Sequence, residues 1–525
     1  MSLNLLSVLI DDALLIIVAL LEPRDRFSRF ALVSRRALAL AFAAPLSHLD
    51  MTATKKFVDS YRNCKADVLR VEVTRTWEEW GRHFRRWLDD SFVLSRIRRP
   101  SVEEIVYDDR SATAENALNL FELQVLCEVF PNVWSVAAFT LCQSPFPIVR
   151  SFGNLRVMEV NFHGIEFPLG AFPLLERLQL HVPSWNDFIA KSLEDELTRL
   201  SSPSRLRHLD INFFVDIGPL PMLEDVSLVV RDNDTINALR RTKHDKVRTM
   251  YLHTTGAVSV SPVFDGFSNL EELTFRSSSP SDRSIEKVSL PSLKYLNLFT
   301  YYYKMNLAPF MELASSLERL VLQDECNDDD SPMMTELFRE LASFTCLKSL
   351  SLKCYYFHPK DLIEALPSLT ALTKLSVASA SFSRSALGPR LQSILEAIPN
   401  PFQIEELALL VPTLPLVVMN TIAKFQNLKI LDATVMLVGE LAVLDWWRPL
   451  LKLSALRQLS LRRSVIRHKT ELQLSFQSLQ EIISSCKSLR KVRLHGLFSQ
   501  DGLSSAQVEG FLVSHGTVVE ITNFL

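Results

Sequence analysis

The side chains of this chain best equipped for chemistry are its 11 His, its seven Cys and one run of acids. Their spacing decides what they can do. His163, His181 and His208 recur near apolar hexads, but no Cys or carboxylate stands at metal-ligand spacing around them. They read as surface residues. Cys64, Cys127, Cys142, Cys326, Cys346, Cys354 and Cys486 form no C-x-x-C pair and are odd in number. Single thiols of this kind fill core space in the reduced state. The run Asp324-Glu325-Cys326-Asn327-Asp328-Asp329-Asp330 has the charge for a cation. It lacks the alternating ligands and central Gly of a calcium loop, so it reads as a solvated acidic loop. No G-x-S-x-G, H-E-x-x-H, P-loop or G-x-G-x-x-G motif is present. The expectation is a protein that is not an enzyme and holds no metal or cofactor.

Composition points the same way. The chain has 525 residues, of which 86 are Leu and 32 Phe, against only 13 Gly. Lys plus Arg is 57 and Asp plus Glu is 60, a net charge of -3. Such balance gives no global electrostatic case for nucleic acid or for an anionic membrane. The one N-terminal apolar run, Ala13-Leu21, is nine residues long. A membrane span needs about 20. Asp11 and Asp12 precede it, with no basic start of the kind a signal peptide has. These features predict a soluble protein of the cytoplasm, the nucleus or both.

The elements that would position any functional residue are repeats. A hexad, apolar-x-x-apolar-x-apolar, has clear copies starting at Leu175, Leu206, Leu270, Leu293, Leu317, Leu347, Leu372, Leu428 and Leu456. All nine carry a charged residue at the second or third place, which separates them from chance Leu patterns. Weaker copies start at Val68, Val102, Val133, Leu155, Leu223, Val247, Ile404, Leu489 and Val518. The mean spacing of these starts is about 26 residues, inside the leucine-rich-repeat range. The 17-residue step from Leu206 to Leu223 fits least comfortably.

Each hexad predicts a short strand that buries alternate residues and pairs in parallel with the next. Helices are predicted between them, at Met333-Phe344, Lys360-Leu366 and Pro389-Ile398. The chain resembles a leucine-rich-repeat horseshoe, an α/β fold with strands on the concave face and helices on the convex face. In that fold the intervening residues of each hexad face a partner. Aromatic and Arg residues dominate interface energetics, so Tyr251, Arg276, Tyr295, Phe299, Arg319 and, nearby, Lys353 form the expected partner-binding patch. Tyr301-Lys304 and Tyr355-His358 are two aromatic loops beside it. A later basic set, with Gln458, Arg462, Lys491, Arg493 and His495, suits an acidic or phosphorylated partner. Trp77, Trp80, Phe84 and Trp87 sit at helical spacing and read as a helix packed on the first repeats.

The first fifty residues differ. Leu14, Ile17 and Leu21 mark one helix face, Glu22-Pro23-Arg24-Asp25 breaks it, and Leu32-Val33-Ser34-Arg35-Arg36 lies beyond the break. Together with Leu9-Ile10-Asp11-Asp12 this segment resembles the F-box. It departs from the family at Ile10, where Pro is usual, and at Ala37, where Trp is usual. The resemblance implies docking to a Skp-type adaptor, and through it to a cullin ligase core, by Leu9, Ile10, Leu14, Ile17, Leu21, Pro23, Leu32, Val33 and Arg35. The predicted organisation is an F-box-like helical domain at 1–48, a linker at 49–66 and a repeat solenoid at 67–525. The expected function is substrate recognition for a Skp–cullin–F-box ubiquitin ligase, with an unknown protein on the repeats. The alternative is an intracellular leucine-rich-repeat scaffold whose N-terminal helices only cap the array.

Overall fold

The computed structural model describes most of residues 132–495, together with residues 45–46, 49–50, 65–66, 68–72, 104–108, 118–120, 123–124, 127 and 518–522. The nine adaptor-docking residues expected between Leu9 and Arg35 lie outside the described residues. So do Trp77, Trp80, Phe84, Trp87, both aromatic loops and all of the acidic run after Asp324.

Two compact units divide the chain. One runs to Val230 and takes in Asn237–Val247; the other comprises Arg231–Ile236 and Arg248 onward. The first carries strands β1 (Pro45–Leu46), β2 (Leu49–Asp50), β3 (Lys65–Ala66), β4 (Val68–Glu72), β5 (Glu104–Asp108), β6 (Leu118–Asn119), β7 (Ser135–Cys142), β8 (Val157–His163), β9 (Arg177–His181), β10 (His208–Ile211) and β11 (Asp225–Val230). The second carries β12 (Thr249–Thr254), β13 (Glu272–Ser277), β14 (Tyr295–Thr300), β15 (Arg319–Asp324), β16 (Ser349–Cys354) and β17 (Lys374–Ala378). It continues with β18 (Glu406–Leu410), β19 (Ile430–Val435), β20 (Gln458–Arg463), β21 (Lys491–His495) and β22 (Val518–Thr522).

In the second unit every strand pairs in parallel with its neighbour in sequence, giving an open sheet rather than a barrel. In the first unit the order is β2, β4, β5, β7, β8, β9, β10, β11, also parallel. Parallel neighbours need a crossover between them. Helices Met334–Leu341, Pro359–Ala365, Leu387–Glu396, Leu416–Ile422 and Phe476–Ser485 supply it, as do 3₁₀ turns at Ala308–Leu313 and Arg448–Lys452. The three helices predicted between strands are among them. Pro359 opens its helix, where the missing N–H costs no hydrogen bond. Among the described residues no helix is long and apolar enough to cross a membrane.

The hexads set the strands. Of the 18 predicted starts, 16 are followed two residues later by the first residue of a strand. The short step from Leu206 to Leu223 is a true rung, since His208 aligns with Asp225 across β10 and β11. Val68 and Val518 are displaced by two positions: the register aligns Val68 with Glu104 and Val518 with Lys491. At the two ends of the expected linker, Leu49–Asp50 pairs with Leu69–Arg70 of β4 and Lys65–Ala66 pairs with β1.

Alternate strand residues enter the interior: Leu273, Leu296, Leu320 and Leu350 are at most 1% exposed. A further buried slot lies three residues ahead of the hexad. Phe152, Phe172, Leu220, Phe267, Leu290, Phe344, Leu369, Phe425 and Leu453 occupy it, all nearly solvent-free. Each closes a turn by accepting the N–H of the hexad's first residue, as Leu270 N–H donates to Phe267 O at 3.2 Å and Leu428 N–H to Phe425 O at 3.0 Å. His244 and Cys486 fill the same slot ahead of Val247 and Leu489. Burial pushes the Cys486 thiol up to about 11, so it stays protonated and inert.

Candidate functional site

The same backbone rule builds a row of charges. In the second unit, the carbonyl of the hexad's second residue accepts two N–H groups from the next repeat. Arg248 O, for example, accepts from Glu271 N at 2.8 Å and Glu272 N at 2.9 Å. The second residues are thereby stacked one strand spacing apart, about 4.8 Å. Their signs alternate: Arg248, Glu271, Lys294, Glu318, Lys348. Glu271 meets Arg248 at 2.8 Å and Lys294 at 3.4 Å, and Lys348 meets Glu318 at 3.0 Å. Thr373 is neutral and donates its hydroxyl to Lys348 O at 3.1 Å. Glu405 and Lys429 then pair at 2.6 Å. The first unit alternates likewise, with Arg156–Glu176 and Arg207–Glu224 contacts at 3.8 and 3.7 Å.

Beside that row, the open face of β12–β16 carries the expected patch. Its residues fall into three lines in register. Thr249, Glu272, Tyr295 and Arg319 form one; Tyr251, Thr274, Asn297 and Val321 the second; His253, Arg276, Phe299, Gln323 and Lys353 the third. The structure brings five of the six predicted residues together as two clusters. The Arg276 guanidinium lies 4.9 Å from the Phe299 ring centre, and its Nη1 donates to the Tyr251 hydroxyl at 3.4 Å. The Arg319 guanidinium lies 4.8 Å from the Tyr295 ring centre. Both are within cation–π range. Lys353 stands apart, beyond Gln323, whose amide donates to Asn297 Oδ1 at 3.0 Å.

Protonation follows from packing. Burial first, and the Arg276 charge second, lower His253 from its ordinary 6.5 to about 4. His253 is therefore neutral near pH 7 and shares a 2.8 Å hydrogen bond with the Ser278 hydroxyl. Burial raises the Tyr295 phenol, opposed by Arg319 and aided by Glu272. The cations of the patch are thus Arg276 and Arg319, each held over an aromatic ring. Stacked guanidinium keeps an N–H edge for planar anions such as carboxylate or phosphate. Ser278 and Glu272 act on the patch without having been predicted for it. Ser278 comes after its hexad and carries no periodic signal; Glu272 sits among the hexad's outward positions.

The remaining candidates are ordinary. His163 and His181 are exposed, and His208 pairs with Asp225 across the β10–β11 register. Among the described residues no three His, Cys, Asp or Glu gather as a metal site would require.

The ordered parallel strands, buried hexads and returning helices define a leucine-rich-repeat type of solenoid in each unit. Among solved structures, the chain is similar to the crystal structure of a TLR13–ssRNA13 complex, at 13% identity and a TM-score of 0.33. The likeness covers 91% of this chain and 84% of that one. No family model and no curated protein matches the chain.

Proposed function

We propose that this protein is a non-catalytic recognition subunit of a Skp–cullin–F-box ubiquitin ligase. The Leu9–Arg36 segment would bind a Skp-type adaptor, and the open face of β12–β16 would hold a protein substrate. The observation that carries the binding half is the pair of Arg–aromatic clusters, Tyr251–Arg276–Phe299 and Tyr295–Arg319. Such residues concentrate binding energy in interfaces. The adaptor half rests on the F-box-like residues alone. Function would come from proximity: tethering raises the effective concentration of substrate at the ligase without new bond chemistry.

The test is calorimetric titration of a purified Skp-type adaptor into the full-length chain and into a 46–525 chain whose fold is checked by circular dichroism. Sub-micromolar binding by the full-length chain only is the expected result. Absence of binding with both chains folded would refute the ligase reading. It would leave a scaffold whose N-terminal helices cap the array, with Ile10 and Ala37 marking the lost adaptor surface.

A further inference from the structure

The charge row ahead of the strands changes character toward the C-terminal end. After Glu405 its members are Lys429, Arg457 and Arg490, all basic. The backbone stacks them as tightly as the rest: Arg457 N–H donates to Lys429 O at 2.8 Å, and Arg490 N–H to Arg457 O at 2.8 Å. Lys429 has Glu405 on its other side at 2.6 Å. Arg457 and Arg490 are both exposed. Like charges directly opposite on neighbouring strands destabilise a sheet. From Arg248 to Lys348 the same row avoids that arrangement at every step.

The surroundings are basic as well. Among the described residues, 446–463 and 474–495 hold nine Lys and Arg against one acid, in a chain whose net charge is -3. The open face of β20 and β21 adds Arg462, Lys491 and Arg493 beside Arg457 and Arg490. Arg462 is bonded to Asp432 at 3.0 Å, and Arg493 lies opposite Glu520 in register. Arg457 and Arg490 are therefore the main seat.

We propose that this end of the second unit docks an acidic stretch of polypeptide, its carboxylates or phosphates neutralising the Arg457–Arg490 pair. The stacking cost of the free protein is then relieved on binding, which turns a local instability into affinity. The accessible outward residues of β20 and β21 among those described (Gln458, Arg462, Lys491, Arg493 and His495) include no Phe, Tyr or Trp. A single-stranded nucleic acid site stacks bases on such rings, so the observations favour a peptide. This proposal does not rest on the ligase reading.

The experiment is fluorescence polarisation on the full-length chain. The probes are labelled peptides of alternating Glu and Gly, phosphoserine and Gly, or Gln and Gly, plus single-stranded DNA of matched charge. One or both acidic peptides should bind, more weakly as salt rises, while the Gln peptide does not. The stronger acidic peptide tells whether carboxylate or phosphate is read. Arg457→Glu and Arg490→Glu should each weaken binding by about tenfold or more, and Arg490→Gln by less. Arg457→Glu also restores alternating sign along the row, so its Tm should rise. No binding of either acidic peptide, unchanged affinity in the variants, a lowered Tm for Arg457→Glu, or tighter binding of the DNA would each overturn the proposal.

Discussion

Reversing one rung of the charge row measures what alternation contributes. Glu271 is the best position, because it touches Arg248 at 2.8 Å and Lys294 at 3.4 Å. Its partners are 69% and 61% exposed, so each pair is worth only about 0.2–1 kcal/mol. Glu271→Gln removes two such pairs and should cost about 0.5–1 kcal/mol. Glu271→Lys also sets three cations on adjacent strands, each new repulsion being similar in size to the attraction lost. The total is about 1–2 kcal/mol. In a repeat array such a change is felt locally, at the altered interface and its neighbours. The assay is hydrogen–deuterium exchange of β12–β14 by mass spectrometry, read as local opening. Glu271→Lys should speed exchange there by roughly 5–30-fold, and Glu271→Gln by less. About 1 M salt should erase most of the difference, since these charges face water. A loss that is equal for Gln and Lys, or unchanged by salt, would refute the electrostatic account.

Single sites supply three further outcomes. The folded His253 titrates at about 4 and the unfolded at about 6.5, so its contribution is complete above pH 6.5 and fades as pH falls toward 4. The full linkage value, about 3 kcal/mol, drops to about 1–2 kcal/mol for a ring that is only half-buried. Urea unfolding at pH 7 and pH 4.5 should therefore show a smaller pH difference for His253→Gln than for the native chain; equal differences would contradict the assignment. In the first unit, a Cβ at Gly164 would collide with the Phe162 ring and stand 2.9 Å from Gln143 Cβ. Because Phe162 is fully buried, Gly164→Ala should cost about 1–3 kcal/mol in thermal or urea unfolding, and an unchanged midpoint would be inconsistent with the packing. Iodoacetamide on the native chain should modify exposed Cys346 and spare Cys486 until denaturant is added; comparable rates at the two would count against the buried slot.

Much of the array was legible because the hexad is a strong signal. An apolar residue, a two-residue gap and an alternating pair force one face inward, so hexads such as those at Leu293 and Leu347 read directly as strands beginning two residues on. The two displaced starts show where that signal fails. Val68-Leu69-Arg70-Val71 and Val518-Val519-Glu520-Ile521 each place apolar residues in both phases of the alternation. Period two then cannot choose which set is buried, and pairing with the neighbouring strand decides. The buried slot three residues earlier escaped notice because its occupants differ: Phe267, Leu290, Phe425, His244, Cys486. What they share is a turn carbonyl, which side-chain chemistry does not announce. The patch was readable as positions, since equal hexad offsets place Tyr251, Arg276 and Phe299 on adjacent strands. Its contacts were not. Arg276 reaching Tyr251 and Phe299, and Ser278 reaching His253, depend on rotamers and on a residue outside the hexad.

A stack of similar hexads has a pairing problem that hydrophobicity alone leaves unsolved. Leu273 in β13 and Leu320 in β15 offer almost the same apolar edge to β14, so a strand that skips one repeat would still bury its leucines. The charge row breaks that degeneracy. With Arg248, Glu271, Lys294, Glu318 and Lys348 alternating, correct neighbours attract, and neighbours one repeat out of step repel. Each pair is weak, yet the discrimination sums along the row and acts at the moment of pairing, when wrong partners compete. On this argument alternation should persist wherever pairing order is the only requirement. Its replacement by Lys429, Arg457 and Arg490 gives up that discrimination and adds repulsion, with no compensating contact across the row beyond Glu405 among the described residues. Local rules are broken chiefly where function makes a competing demand. The end of the row is therefore where a demand other than pairing order fits best, and the acidic partner proposed above would meet Arg457 and Arg490 there.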